Sequence, residues 1–159
     1  MPYKLSEPLT RTNEKLHNEL IASAEKLVPI LKDRSAAANE ARKIPVETIN
    51  DFREAGFFKI LQPKKYGGYE LDPHTFFEVQ MKVAEGCMSS AWVLGIIAVH
   101  PFQLALYDEK AQEEVWGNDP DALVASSYAP LGKVEHADGG FKLSGHWQWS
   151  SGSDRCSWI

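Results

Sequence analysis

The chain has 159 residues, 43% of them hydrophobic, with 17 Lys and Arg against 22 Asp and Glu and a formal net charge of -5. This composition excludes a disordered chain, and an acidic balance without a basic stripe argues against a nucleic-acid surface. The two cysteines, Cys87 and Cys156, define neither a disulfide framework nor metal-ligand spacing, which favours a reducing cytoplasm.

Nothing in the sequence indicates a membrane segment. The longest apolar run, from Ala91 to Val99, is about half as long as a bilayer span requires. Residues 1–13 lack the apolar centre of a signal peptide. We therefore expect a soluble protein of the cytoplasm.

The first half of the chain has the apolar periodicity of amphipathic helices. A long helix is predicted over residues 13–43, and Pro29 is expected to kink or restart it. Pro45 opens a second helix, and Gly56 is expected to end it.

Three further helices are predicted before residue 118. Asp72 supplies the N-cap of a helix that runs to about Gly86. Residues 88–99 are apolar nearly all round, which indicates a buried central helix that Pro101 breaks. Asp108 caps a short charged helix that ends at Trp116 and Gly117.

Beyond residue 120 the pattern changes to alternation of apolar and polar residues. Residues 123–128 and 134–137 read as extended, Asp138-Gly139-Gly140 reads as a turn, and alternation then continues to Trp149. The sequence therefore predicts a helical domain over residues 1–120 and the opening strands of a β domain over residues 121–159. Because so few strands cannot close a barrel, we expect the chain to be a truncated part of a larger fold.

Two segments near the end combine large aromatic rings with hydroxyl groups. On a strand, Trp147, Trp149 and Ser151 would share one face, and Ser126 with Ser127 would lie on a neighbouring strand. A flat heterocycle such as a flavin needs apolar faces and hydrogen-bond donors at its edge, and these segments offer both. The alternative is the core of a sandwich with a polar edge.

Of the five histidines, His100 is the one for which the sequence suggests chemistry. It follows the apolar helix directly and could place a titratable group at the mouth of an apolar pocket. A capping or solvated role is the alternative. No metal site is predicted, because His74, His136 and His146 lack ligand spacing.

Several short segments resemble the group D flavin-dependent monooxygenases of the acyl-CoA dehydrogenase fold. The resemblance implies an α+β protein with an all-α N-terminal domain, a β-barrel-like middle domain and a C-terminal helical bundle, which is absent from this chain. The matching segments are Gly56-Phe57-Phe58, Leu61-Gln62-Pro63, Tyr66-Gly67-Gly68, residues 104–108 and 111–117, Ser126-Ser127-Tyr128-Ala129-Pro130 and Trp149-Ser150-Ser151-Gly152.

The same resemblance implies residue roles. His100, Ser126 and Ser151 would be catalytic and face the reacting centre. The residues expected to line the flavin are Trp92, Ser126, Ser127, Tyr128, Trp149, Ser150 and Ser151.

By resemblance the protein would be the oxygenase component of a two-component system and a homotetramer at full length. A separate NAD(P)H-dependent flavin reductase would supply reduced FMN or FAD. With O2 and through a C4a-hydroperoxyflavin, the enzyme would hydroxylate a phenol at the ortho position, with a secosteroid phenol of steroid degradation as the expected substrate. These 159 residues alone are expected to be inactive.

Three alternatives remain open at this stage. One is a true acyl-CoA dehydrogenase, against which Ser151 stands where that group usually has threonine. Another is an oxygenase of the same fold that acts on nitrogen or sulfur. The third is a fragment without catalytic activity that binds a partner.

Overall fold

The computed structural model describes residues 11–159, with side chains from residue 13 onward. The N-terminal segment in which no signal peptide is predicted therefore lies largely outside the described residues. Within residues 11–159, five α-helices precede a two-stranded sheet. Their bounds are α1 Arg11–Ala41, α2 Val46–Glu54, α3 Pro73–Gly86, α4 Met88–Leu104, α5 Glu109–Trp116, β1 Lys133–Ala137 and β2 Gly140–Ser144.

Helix α1 is continuous through Pro29, so the prediction that this proline restarts the helix is wrong. Proline removes one backbone hydrogen bond and frees the carbonyl one turn earlier. Pro29 and Glu25, whose carbonyl is freed, both lie on the exposed side of α1, where water can solvate that carbonyl. On the opposite side, Leu20, Ala24 and Leu31 are buried, and this face holds the helix together across the proline.

Helix α4 lies at the centre of the fold and continues past Pro101 to Leu104, so the predicted break at Pro101 is wrong as well. Pro101 and Leu104 are both buried. Their apolar contacts offset the local cost of a proline inside a helix, which is about 3 kcal/mol. The helix is not buried all round, because Met88 is 70% and Trp92 58% exposed at its N-terminal end.

The start of α3 follows the predicted capping pattern. The Asp72 carboxylate accepts a hydrogen bond of 2.8 Å from the backbone N–H of His74, and Pro73 occupies the first helical position. Asp108 caps α5 in the same way, accepting from the N–H of Lys110 at 2.9 Å. Both predicted caps are confirmed.

Removing the cap of α3 should cost measurable stability. We expect Asp72→Ala to lower the free energy of unfolding by about 1 kcal/mol, because the N–H of His74 then loses its acceptor. Asp72→Asn keeps an acceptor oxygen and should stay close to the wild type in urea denaturation. Equal losses in the two variants would contradict a capping role.

The apolar core has two parts. The larger part joins α1, α2, α3 and α4 around fully buried residues such as Phe52, Phe57 and Val83. The smaller part packs Trp116 of α5 against Tyr66 and Leu104, with the rings of Tyr66 and Trp116 5.4 Å apart. The smaller part packs α5 against the end of α4. It also contains Ala122, which precedes the segment with Ser126.

The two strands form an antiparallel hairpin. Ala137 pairs with Gly140 across a turn in which Gly139 has a φ of +77°, which confirms the predicted turn. The prediction that the second strand reaches Trp149 is wrong, because β2 ends at Ser144 and Trp149 has a φ of +62°. Residues 123–128 form no named strand; Val124 makes only an isolated parallel bridge to Trp158.

Candidate functional site

A buried histidine and a serine form the most specific contact of the site. His100, 3% exposed on α4, lies with its Nδ1 2.5 Å from the carbonyl oxygen of Ile96 and its Nε2 2.7 Å from Ser126 Oγ. Since a carbonyl oxygen only accepts, Nδ1 carries the hydrogen of the neutral ring and Nε2 accepts from the Ser126 hydroxyl. The structure therefore brings together two of the predicted catalytic residues.

The electrostatics keep this histidine neutral. Burial lowers the pKa of His100 below its ordinary value, and hydrogen bonds to the carbonyls of Ile96 and Ile97 oppose that shift only in part. A neutral imidazole whose Nε2 carries no proton is a base, and here its lone pair faces the Ser126 hydroxyl. The pair can therefore take a proton from a group that contacts Ser126.

Tyr128 covers this pair from one side. Its ring stacks on the His100 ring with centroids 6.1 Å apart and planes at 15°, and its hydroxyl donates to Gln103 Oε1 at 3.1 Å. Gln103 lies one helical turn beyond His100 on α4, so one helix face carries both groups. Sequence reasoning missed Gln103; its spacing of three residues from His100 was the available signal.

A second contact joins the N-terminal half of α4 to the predicted flavin-lining segment. Trp92 Nε1 donates to Ser151 Oγ at 3.2 Å. Ser151 precedes Gly152, which has a φ of +80°. A Cβ atom at Gly152 would lie 2.7 Å from Ile97 Cδ1, and the positive φ would strain any other residue, so glycine is favoured where the turn meets α4.

Ser127 and Ser150 complete the hydroxyl groups. Ser127 Oγ donates to the carbonyl of Gln148 at 2.6 Å, which ties the two predicted segments together although neither is a strand there. Ser150 Oγ is buried and has no hydrogen-bond partner among the described residues. A buried hydroxyl without a partner costs about 1–3 kcal/mol, so this atom is a candidate ligand contact.

A cavity of about 730 Å³ opens beside the Trp92–Ser151 contact. This volume lies in the range of pockets that hold multi-ring ligands. The lining combines mainly apolar residues of α4 with polar and charged groups from the end of α1 and from residues 151–155. Among them are Arg42, Lys43, Met88, Trp92, Val93, Ser151, Asp154 and Arg155. His100 and Ser126 do not line it.

Trp149 does not lie where the alternation pattern predicts. It is 87% exposed and lines neither this cavity nor the smaller one beside Arg53. A positive φ at Trp149 and the absence of a strand over residues 145–150 separate it from the face that it was to share with Ser151. A contact between Trp149 and a flavin stays a prediction.

The other histidines lie apart from this site. His74, His136 and His146 are exposed. Within residues 11–159 no three His, Cys, Asp or Glu side chains meet in a way that could hold a metal ion, and no helix there is long and apolar enough to cross a bilayer.

The class of protein follows from a family comparison. Residues 14–117 match the family model of the acyl-CoA dehydrogenase N-terminal domain. The matched range contains all five helices except the first residues of α1. The chain belongs to this family.

Individual relatives narrow the class. The oxygenase subunit HsaA of a flavin-dependent monooxygenase from Mycobacterium tuberculosis is 42% identical over 150 residues, which are 94% of this chain and 38% of that protein. The subunit of the same name from Rhodococcus jostii is 46% identical over 132 residues, 83% of this chain and 35% of that protein. The chain thus spans little more than a third of the length of these relatives.

Solved structures show the same likeness. The crystal structure of the HsaA monooxygenase from M. tuberculosis superposes with a TM-score of 0.86 at 43% identity, over 89% of this chain and 39% of that one. XiaF from Streptomyces, solved in complex with FADH2 and glycerol, superposes with a TM-score of 0.83 at 28% identity, over 89% of this chain and 36% of that one. The acyl-CoA dehydrogenase-like fold predicted for the helical part is confirmed.

Proposed function

We propose that this chain belongs to the oxygenase component of a two-component flavin-dependent monooxygenase that hydroxylates a phenol at the ortho position. The observation that carries the proposal is the contact between Ser126 and the neutral, buried His100. The likeness to the HsaA oxygenase subunits supports it, and it favours a secosteroid phenol of steroid degradation as the substrate.

The residues present fit a flavin. Trp92 offers a half-exposed indole face, and Ser150 Oγ is a buried hydroxyl in need of a partner. Ser151 Oγ accepts from the Trp92 indole, which leaves the Ser151 hydrogen free to donate to the edge of a ring. Trp92, Ser126, Ser127, Tyr128, Ser150 and Ser151 would hold the flavin, with Trp149 as a further candidate. Reduced flavin, when bound, supplies the electrons with which O2 is activated.

The Ser126–His100 pair would act on the phenol. Ser126 Oγ already donates to His100 Nε2, so its lone pairs remain to accept the phenol O–H. Transfer of the phenol proton through Ser126 to Nε2 leaves a phenolate-like ring, which is the better nucleophile at the ortho carbon. Positioned proton transfer of this kind is worth about 10²- to 10⁴-fold in rate.

The surrounding apolar groups would exclude water. Tyr128 covers His100, and Ile97 with Val93 packs under Gly152 beside Ser151. Water that reaches the flavin edge would divert the activated oxygen to hydrogen peroxide. A dry site with one fixed donor at Ser151 would suppress that loss.

Ser151→Ala tests this role directly. Loss of one hydrogen bond should raise the ratio of hydrogen peroxide to hydroxylated product about tenfold. Peroxide and product are measured in the same reaction, so the ratio does not depend on enzyme concentration. Ser144→Ala, an exposed serine at the end of β2, is the matched control. An unchanged ratio in Ser151→Ala would remove Ser151 from the role.

The partner and the cellular site follow from the same proposal. The relatives are named as oxygenase subunits, which supports a separate NAD(P)H-dependent flavin reductase as the source of reduced flavin. XiaF was solved with FADH2, and both FAD and FMN are candidates for the flavin of this protein. We also propose that the full-length protein is a homotetramer in the cytoplasm. Its helical and β domains would meet near residue 120.

The experiment for the function is a turnover assay on the intact protein. It is supplied with reduced flavin, O2 and a panel of phenols, and the catechol product is identified by mass spectrometry. A true acyl-CoA dehydrogenase, which the family match also allows, would instead bleach oxidised flavin when an acyl-CoA is added. Bleaching without hydroxylation of any phenol would overturn the proposal.

A further inference from the structure

The residue directly after α1, Arg42, has a strained backbone conformation. Arg42 has a φ of +51°, while its N–H bonds to the carbonyl of Asn39 and the N–H of Lys43 bonds to that of Ala38, both at 3.2 Å. This is the closing motif in which glycine is the usual occupant of the left-handed position. A residue with a Cβ atom is strained there, and such strain in a non-glycine residue suggests a task for its side chain.

Arg42 lines the 730 Å³ cavity next to the Trp92–Ser151 contact. Two other cations line the same cavity, and each has a partner, although the buried Arg155 Nε makes no hydrogen bond within the described residues. Lys43 Nζ lies 2.9 Å from Asp154 Oδ2, and Arg155 Nη2 donates to the carbonyl of Ile44 at 3.0 Å. Within residues 13–159 the Arg42 guanidinium has no hydrogen bond or ion pair.

The charges of the lining favour an anion. Arg42, Lys43 and Arg155 face a single carboxylate, that of Asp154. A hydrogen bond from Lys43, together with the charges of Arg155 and Lys43, holds the pKa of Asp154 below its usual range, so this carboxylate is ionised and occupied by its partners. The three cations outnumber the single carboxylate by two charges, and among residues 13–159 Arg42 is the cation without a partner.

The part of the lining that α4 contributes is mainly apolar. Met88, Trp92 and Val93 of α4 face the same space, and Met88 and Trp92 are largely exposed. The lining of the cavity therefore contains both an apolar surface for a ring and a cationic donor. A molecule that combines a ring with a terminal oxyanion fits both.

We propose that Arg42 binds the terminal oxyanion, a phosphate or a carboxylate, of a ring-containing ligand that packs against Trp92. Two sources share this chemistry: the phosphate of the flavin and a carboxylate at the far end of a phenolic substrate. The inference concerns binding, and it borrows from the proposed function only the position of the ring at Trp92.

Paired probes distinguish the sources. FMN and riboflavin differ only in the phosphate, and para-hydroxyphenylbutanoate and para-butylphenol differ chiefly in the carboxylate. Dissociation constants are measured by calorimetry at low and high salt for the wild type, Arg42→Gly, Arg42→Lys and Lys32→Gln. Lys32 is an exposed cation on α1 outside the cavity and serves as the charge control.

We expect the wild type to prefer the charged member of one pair about tenfold, and to lose part of that preference at high salt. Arg42→Gly should abolish the preference while the melting temperature stays the same or rises, since glycine relieves the strained position. Arg42→Lys should keep part of the preference and Lys32→Gln all of it. A destabilised mutant cannot mimic this result, because stability and binding are expected to move in opposite directions.

The inference is overturned if neither pair shows a preference in the wild type, or if the preference survives Arg42→Gly. Hydroxylation of phenols by a protein without any preference would overturn the inference alone. A preference that depends on Arg42, in a protein that hydroxylates no phenol, would overturn the proposed function alone.

Discussion

Replacing His100 with alanine should lower the rate of phenol hydroxylation about 10²- to 10⁴-fold, the usual contribution of a positioned proton acceptor. In this variant the Ser126 hydroxyl loses its acceptor at 2.7 Å and can no longer pass on the phenol proton. His136→Ala, at an exposed position of the hairpin, should leave the rate unchanged. Single-turnover measurement of catechol formation, with the reduced flavin supplied in excess, isolates the chemical step.

The dependence on pH separates this role from a structural one. Burial lowers the pKa of His100, so the wild-type rate should fall only at pH values below the ordinary range of histidine, as the ring becomes protonated. That acid limb should be missing from the residual activity of His100→Ala. An acid limb that persists in the variant would assign the titration to another group and contradict the proposal.

The same shift affects stability, with a definite sign. Because the folded state holds His100 less protonated than the unfolded state, the contribution of this residue is complete above the unfolded pKa of about 6.5. It is lost progressively as the pH falls from there toward the lower pKa of the folded state. Kinetic comparisons of the variant are therefore cleanest near neutral pH.

The largest loss of stability is expected from Phe52→Ala. Phe52 on α2 is 0% exposed, and its ring lies 5.8 Å from that of Phe57 and 6.3 Å from that of Phe58. Truncation removes a buried aromatic ring and leaves a cavity, which costs about 3–5 kcal/mol in the free energy of unfolding. Urea denaturation with a common slope for wild type and variant measures the difference.

Phe77→Ala is the matched control, since Phe77 on α3 is 54% exposed. It should change the free energy of unfolding by about 0.5 kcal/mol or less. Equal losses in the two variants would show that the packing around Phe52 does not carry the core. If only Phe52→Ala shows the large loss of unfolding free energy, α2 unfolds in the same cooperative unit as α4.

The helical part could be predicted from the sequence because its signals are local. Asp72 and Asp108 cap the helices that they precede, and Gly56 adopts the left-handed conformation with which it ends α2. The sequence does not predict that α1 and α4 continue through Pro29 and Pro101. The cost of a proline is local, whereas the compensation comes from solvent exposure at Pro29 and from tertiary packing at Pro101. Neither of these can be seen in the neighbouring residues.

The β part was less predictable, because a strand depends on a partner. Alternation through Trp147 and Trp149 predicts a strand, yet residues 145–150 pair with no strand within the described chain. Trp149 was the ring on which the flavin hypothesis first rested. The hypothesis now depends on the His100–Ser126 and Trp92–Ser151 contacts and on the relatives.

The sequence points to candidate site residues when the residue type itself suggests chemistry. It does not point to residues that matter only because of their position in the fold. His100, Ser126 and Ser151 belong to types that do proton chemistry, and the resemblance assigned them. Gln103 and Arg42 have ordinary side chains whose importance comes from a helix turn and from a strained backbone. The domain division near residue 120 stays a prediction.

The arrangement of contacts along α4 has a consequence for how such a site could change. Trp92, His100 and Gln103 belong to one uninterrupted helix, so the span from the indole to the imidazole is fixed by eight steps of helical rise, about 12 Å. Insertion of a single residue between them would rotate one end by about 100° and separate the pair of contacts. Changes of loop sequence can reshape the ligand's surroundings, whereas the spacing of these three side chains changes only with an insertion or deletion inside α4.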